Sequence, residues 1–274
     1  MMKRNFGYIV AAIIAVLGVV SCSVVNKAIK SGDPQYAYEQ ALDLYEREKW
    51  SQASELFEAC RHIYQGSPRE DSLSFYNARC KYKEHKWEEA SMLLDNFRHK
   101  FMRSPFIEDA EGMYALCYYY MSPGPERDQS ITTQAIIAIT EFMSRYPESD
   151  NRDEFQNMLD DLAARLQEKS YLNAYTYYKI GRYKSAIVAF KNAMKRYPDS
   201  PRSEEMMYYT TVSAYRLAAN SIETKQLDRY LAMLDYYYSF LSEYPESSRL
   251  KELERMARDA RNFIDKNRTT QQTM

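Results

Sequence analysis

The chain has 274 residues, with 37 lysines and arginines against 38 aspartates and glutamates, a formal charge of −1. That balance offers no basic face of the kind nucleic-acid binding needs. Twenty-six tyrosines stand against only seven glycines and nine prolines, a composition that points to an all-α protein of long helices.

Lys3 and Arg4 open a short positive region, and Phe6 to Val20 is an uncharged, largely apolar run of fifteen residues. At ~1.5 Å per residue the run reaches about 22 Å, short of a ~30 Å hydrocarbon core. With the small residue Ser21 behind it, it reads as a signal peptide over residues 1–21 rather than a spanning helix. Val19-Val20-Ser21-Cys22 resembles the bacterial lipobox, in which the cysteine becomes the lipidated first residue of the mature chain. Cys22 is the expected lipidation site, and several acyl chains (palmitate type) suffice for stable anchoring. Ser23 rather than an aspartate follows it, the pattern that implies outer-membrane sorting. Residues 23–27 also lack an acidic surface-export stretch, so the periplasmic leaflet is expected. The mature chain would then hold 253 residues and, without Lys3 and Arg4, 35 basic against 38 acidic groups, a charge of −3. Residues 22–33 read as a lipidated tether.

Self-similarity then sets the architecture. An offset of 37 residues relates Trp50 to Trp87 and Pro68 to Pro105. It also relates Ala41, Ala78 and Ala115, then Tyr45, Tyr82 and Tyr119, and Cys80 to Cys117. Downstream, Arg145-Tyr146-Pro147-Glu148-Ser149 returns at Arg196–Ser200 and, with glutamate first, at Glu243–Ser247. The fullest copy of the tetratricopeptide pattern is Ala174, Tyr177, Gly181, Tyr183, Ala186, Phe190, Ala193 and Pro198. Its glycine permits the tight turn, its alanines let helices cross closely, and its proline ends the pair. Five helix pairs are expected, over residues 34–65, 71–100, 107–145, 152–196 and 202–244. A polar capping helix follows over 248–266, and the whole forms a superhelix. Residues 34–147 would hold the N-terminal repeats and 148–267 the C-terminal repeats and cap. Residues 268–274 would be a disordered tail, and Ser122 to Asp128 a mobile loop.

No nucleophile elbow, phosphate loop or metal-ligand spacing stands out, and the three histidines do not pair. No metal, cofactor, nucleic acid or small-molecule substrate is expected, and the chain reads as a binding scaffold, not an enzyme. Cys60, Cys80 and Cys117 read as buried thiols. The inner face of such repeats is lined by the first helix of each pair. Tyr38, Leu42 and Tyr45, then Phe75, Arg79 and Tyr82, are the candidate peptide-binding residues. Arg182, Lys184, Lys191 and Lys195 form a basic strip that is the candidate partner-docking surface.

The lipobox, the five pairs and the long fourth pair together resemble the BamD (YfiO) family. The blocks that carry it are Tyr146-Pro147-Glu148-Ser149, Leu162-Ala163, Glu168, Ala174, Tyr177-Tyr178, Gly181 and Tyr197-Pro198-Asp199-Ser200. The resemblance implies a lipoprotein scaffold anchored in the outer membrane and facing the periplasm. It implies two partners: unfolded outer-membrane protein precursors and the BamA barrel insertase. Phe101-Met102-Arg103-Ser104-Pro105 departs from the usual tyrosine-proline ending, and Ile222 to Lys225 is an insertion, so no family contact residues carry over there. Two alternatives share the anchor and the repeats: another periplasmic adaptor serving peptidoglycan or a pilus, and a glycan-binding lipoprotein. Cys22→Ala is expected to abolish metabolic fatty-acid labelling and to release the protein from membrane pellets; a variant that still labels and still pellets refutes the anchor.

Overall fold

The structure is a computed structural model that describes residues 24–272, with side chains as far as Asn267. Cys22 and the expected signal peptide lie outside the described residues. Every regular element among the described residues is helical. These are α1 (24–30), α2 (Pro34–Glu46), α3 (Trp50–Cys60), α4 (Glu70–Lys83), α5 (Trp87–Lys100) and α6 (Ile107–Met121). They continue with α7 (Ser130–Arg145), α8 (Arg152–Lys179), α9 (Tyr183–Arg196), α10 (Ser203–Ala219), α11 (Glu223–Glu243) and α12 (Leu250–Gln272). Helices α2 to α11 are the five expected pairs, and α12 follows as the closing helix.

The short turns inside the first, second and fourth pairs each contain one residue with positive φ, whereas the turn 220–222 of the fifth pair contains none. Gly181 supplies it between α8 and α9, at φ 74°. Its N–H donates to Tyr178 O (3.0 Å) and that of Arg182 to Tyr177 O (2.9 Å), a double C-terminal cap. Glu48 (φ 58°) and His85 (φ 60°) take the same position in the first two pairs, where a side chain costs roughly 1–2 kcal/mol.

The link between pairs is built on a serine. The carbonyls of Ser67, Ser104, Ser149, Ser200 and Ser247 each accept the N–H three residues on, at 3.0–3.2 Å. Four of the hydroxyls also accept the N–H two residues on: Ser67 from Arg69, Ser104 from Phe106, Ser200 from Arg202 and Ser247 from Arg249. Fixed in this way, the residue two past the serine lies back over a ring of the preceding first helix. Arg69 covers Tyr38 at 5.6 Å, and Phe106 stacks on Phe75 at 4.6 Å. Arg202 covers Tyr171 and Arg249 covers Tyr208, both at 4.8 Å. Arg202 further holds Glu168 through two bonds of 3.0 and 2.9 Å and Glu205 through one of 2.8 Å.

The chain forms two compact units, residues 24–123 with 130–159, and residues 124–129 with 160–272. The division falls inside α8, between Leu159 and Asp160, about a dozen residues past the 147/148 boundary expected from the tyrosine-proline signature. In the first unit Leu56, Phe57 and Leu73 form one cluster, and Phe75, Leu94 and Phe97 another. In the second, Phe190 and Met206 form one, and Met233, Phe240 and Leu253 another. Cys60, Cys80 and Cys117 are buried free thiols; burial pushes Cys80 and Cys117 up to about 12.

Three segments depart from expectation. The stretch taken as tether contains α1, because Val25 and Ala28, one turn apart, are buried against the first pair. Asp33 then caps α2, its Oδ1 accepting from Gln35 N (2.9 Å) and Tyr36 N (3.3 Å), with Pro34 at the first helical position. The loop 122–128, expected to be mobile, makes two bonds to α8: Lys169 Nζ donates to the carbonyls of Glu126 (3.0 Å) and Arg127 (2.9 Å). Helix α12 runs on to Gln272, since no glycine or proline stands beyond Lys266 to stop it, so residues 268–272 prolong the cap.

A buried carboxylate braces the second pair. Glu70 Oε2 accepts the N–H of Gly66 (2.8 Å), and its other oxygen pairs with Lys100 of α5. The Lys100 bond, then the Gly66 bond, hold the Glu70 carboxyl below the usual range. A depressed folded-state value stabilises above the unfolded value near ~4.3, and the benefit is lost as pH falls through it. Glu70→Gln is therefore expected to cost about 1–2 kcal/mol at pH 7, with the gap from wild type closing below about pH 4 in denaturant melts.

Candidate functional site

The six residues expected on the peptide-binding face divide into two groups. Tyr38 and Phe75 are buried, 8% and 1% exposed. Tyr38 packs on Phe57 and Tyr64 and bonds Ser72 through its hydroxyl (3.2 Å), while Phe75 sits between Phe97 and Phe106. Both serve as the covered rings of the links, so they pack the interior. Leu42, Tyr45, Arg79 and Tyr82 are half-buried. Tyr45 lies edge-on to Trp50 and Tyr76 at 5.0 and 4.9 Å. Burial raises its hydroxyl pKa and the Arg79 charge opposes the rise. Tyr82 lies edge-on to Trp87 at 5.2 Å, and burial likewise pushes its hydroxyl up.

Phe75, Arg79 and Tyr82 come together on the wall of one cavity of about 230 Å³ in the first unit. Its remaining wall comes from Glu108, Asp109, Gly112, Met113 and Leu116 of α6, Phe142 of α7, and Asn151, Glu154 and Phe155 at the start of α8, with Lys83 at the α4 edge. Sequence reasoning missed this second wall, although the 37-residue offset carries Phe75, Tyr76 and Arg79 onto Gly112, Met113 and Leu116. The lining mixes rings and aliphatic side chains with charged groups. Arg79 and Lys83 stand on one side, and Glu108, Asp109 and Glu154 on the other. Among the described residues none of the five makes a salt bridge within 4 Å, so the lining offers donors and acceptors of both signs. The nearest ring to Arg79 is Phe75, at 5.9 Å. Such a site can hold a segment of polypeptide with side chains inward and backbone at the rim.

The basic strip lies on α9 in the second unit. Lys184, Lys191 and Lys195 are exposed and share one side of the helix, with Val188, 54% exposed, between them. Arg182 is exposed too, but stands at the N-cap, off that line. Lys191 Nζ lies 5.6 Å from the Tyr236 ring. Among the described residues the four cations form no salt bridge.

Stacked helix pairs, a first-helix face with a lined cavity and an exposed cationic strip define a tetratricopeptide-like scaffold, and residues 171–200 match the tetratricopeptide repeat itself. The chain belongs to the YfiO family of outer membrane lipoproteins, whose sequence profile matches residues 30–173. It is similar to the outer membrane protein assembly factor BamD of Caulobacter vibrioides, 27% identical over 112 residues, which are 41% of this chain and 36% of that protein. The match thus spans about a third of that relative's length. Among solved structures it is similar to the TPR2AB domain of yeast Sti1, at 14% identity and a TM-score of 0.38, covering 83% of this chain and 98% of that one. A thermophilic tetratricopeptide protein of Thermus thermophilus is similar at 16% identity and a TM-score of 0.32, covering 83% and 98%. Among the described residues no helix is long and apolar enough to cross a membrane.

Packing and surface positions on this face should separate in a stability measurement. Phe75→Ala is expected to cost about 3–5 kcal/mol in chemical denaturation, whereas Arg79→Ala stays within about 0.5 kcal/mol of wild type.

Proposed function

We propose that the chain is an outer-membrane lipoprotein scaffold of the β-barrel assembly machinery, a binding protein rather than a catalyst. Cys22 anchors it in the periplasmic leaflet. The first-helix face of the first unit holds extended segments of unfolded outer-membrane precursors, and the cationic side of α9 within residues 148–267 docks the barrel insertase. Membership of the outer membrane lipoprotein family supports the setting. The observation that carries the binding role is the cavity bounded by Arg79 and Tyr82, whose lining combines aromatic and aliphatic side chains with charges of both signs. Leu42 and Tyr45 extend the same face toward the first pair. For docking, three lysines on one side of α9 supply a surface that acidic partner residues complement.

Photo-crosslinkers at Arg79 and Tyr82 are expected to capture an unfolded barrel precursor. The same groups at Glu55 and Glu89, exposed on the second helices, should not. Equal capture from both faces overturns the assignment. Reversing Lys184, Lys191 and Lys195 to glutamate should weaken co-purification with the insertase at least tenfold, with a loss of salt dependence. Unchanged co-purification moves the docking surface elsewhere.

A further inference from the structure

Helix α1 packs on the first pair by one side only. Val25 and Ala28 are buried there. The other side carries Lys27 and Lys30, three residues apart and both exposed, with Asn26 beside them. Among the described residues neither lysine makes a salt bridge within 4 Å. Ile29, on the flank toward α3, lines a groove of about 790 Å³ that also holds Glu55, Glu58 and Glu89. Arg61 and Lys81 pair with Glu58 and Glu89 at 2.8 and 3.1 Å, while Glu55 makes no salt bridge. The two flanks of α1 thus differ in charge, cationic at the lysines and acidic beyond Ile29.

The helix is also fixed to the body it precedes. Gly32, at φ 68°, turns the chain after it, and Ser31 N donates to Lys27 O at 3.0 Å. The Ser31 hydroxyl donates to Ala28 O (2.7 Å) and accepts the N–H of Asp33 (3.2 Å), the residue that caps α2. Wherever α1 lies, the first pair lies with it. Cys22 stands two residues before Val24, a backbone reach of at most about 7 Å. Seven helical residues add about 10 Å. A lipid on Cys22 therefore holds all of α1 within about 17 Å of the headgroup layer. At that range its charges meet a surface potential that decays over ~8 Å at physiological salt.

We propose that the Lys27–Lys30 side of α1 is a docking face for the anionic phospholipid headgroups of the leaflet that holds Cys22. The two ammonium groups meet lipid phosphates, and their aliphatic stems lie along the headgroup layer. The acidic flank around Glu55 is turned to water. A lipid tether alone leaves the body free to roll about its attachment. Attraction at the lysines and repulsion at Glu55 act in the same sense, so together they select one roll. Because α1 is fixed to the first pair, that choice sets how the first unit is presented at the membrane. The inference rests on the reading that Cys22 is the lipidated residue.

The test uses the full lipidated chain in vesicles of phosphatidylethanolamine with phosphatidylglycerol, and in vesicles of phosphatidylcholine alone. A fluorophore is placed on Asn26→Cys, on the lysine side of α1, or on Glu55→Cys, beyond its other flank. Cys60, Cys80 and Cys117 are buried and stay unlabelled. A nitroxide carried on lipid headgroups quenches the label that lies nearer the membrane. In the anionic vesicles, quenching at position 26 should exceed that at position 55 at least threefold. The excess should vanish when Lys27→Glu and Lys30→Glu are added, in phosphatidylcholine, and at 1 M salt, where charges act over only about 3 Å. Equal quenching at the two positions in anionic vesicles, or an excess that survives charge reversal or salt, overturns the docking face. When that happens in a chain that still sediments with vesicles through Cys22, the face alone falls. A chain that carries no acyl group and does not sediment overturns the anchor, and the face with it.

Discussion

The serine that ends each helix pair governs the rest of the structure. Its carbonyl closes the link, and its hydroxyl orients the residue two places on. At Ser104 and Ser247 the hydroxyl also donates to a first-turn carboxylate of the preceding first helix, Asp71 at 2.9 Å and Glu204 at 2.6 Å. These bonds satisfy backbone groups that a helix start leaves open. They also swing an arginine or a phenylalanine over an aromatic ring thirty-one or forty-one residues upstream. A cation or a second ring on an aromatic face is worth about 0.5–1.5 kcal/mol, modest alone but repeated at every link but one. Where ring and cover are both missing, at Gly112 and Asn151, the first unit has its lined cavity.

That arrangement explains what could be read from the sequence. The five pairs and the closing helix follow from residues that recur because packing needs them: Ala41 and Ala78 at helix crossings, Tyr146-Pro147 and Tyr197-Pro198 at helix ends. Arg79 and Tyr82 were legible on the same ladder and do line the cavity. Tyr38 and Phe75 were on it too, yet they are interior. A ring on a first helix faces outward or inward according to what covers it, and the cover arrives from the next link, thirty-one residues away. The tethered loop 122–128 depends on Lys169, some forty residues downstream, and local composition carries no sign of that bond. Gly112 was visible as a break in the aromatic ladder, but a missing ring attracts less notice than a present one.

The two surfaces suit different kinds of contact. The cavity in the first unit is lined by apolar and charged side chains together, an arrangement suited to burial and to backbone pairing with varied sequences. The lysines of α9 present charge with little apolar area apart from Val188, an arrangement that governs encounter and salt dependence more than affinity. The lipid anchor proposed at Cys22 would add a third attachment. Several weak attachments on one body raise the effective concentration of each, so that firm assembly does not require any single tight interface.

The central claim is that polypeptide is received on the first-helix face of the first unit. The direct measurement is paramagnetic broadening of the methionine methyl signals when a spin-labelled, unfolded outer-membrane barrel polypeptide is added to the full chain. The account predicts strong broadening at Met113, in the cavity wall, with Met92 on the second helix of the preceding pair left sharp. Broadening at Met92 equal to or greater than that at Met113 would contradict it.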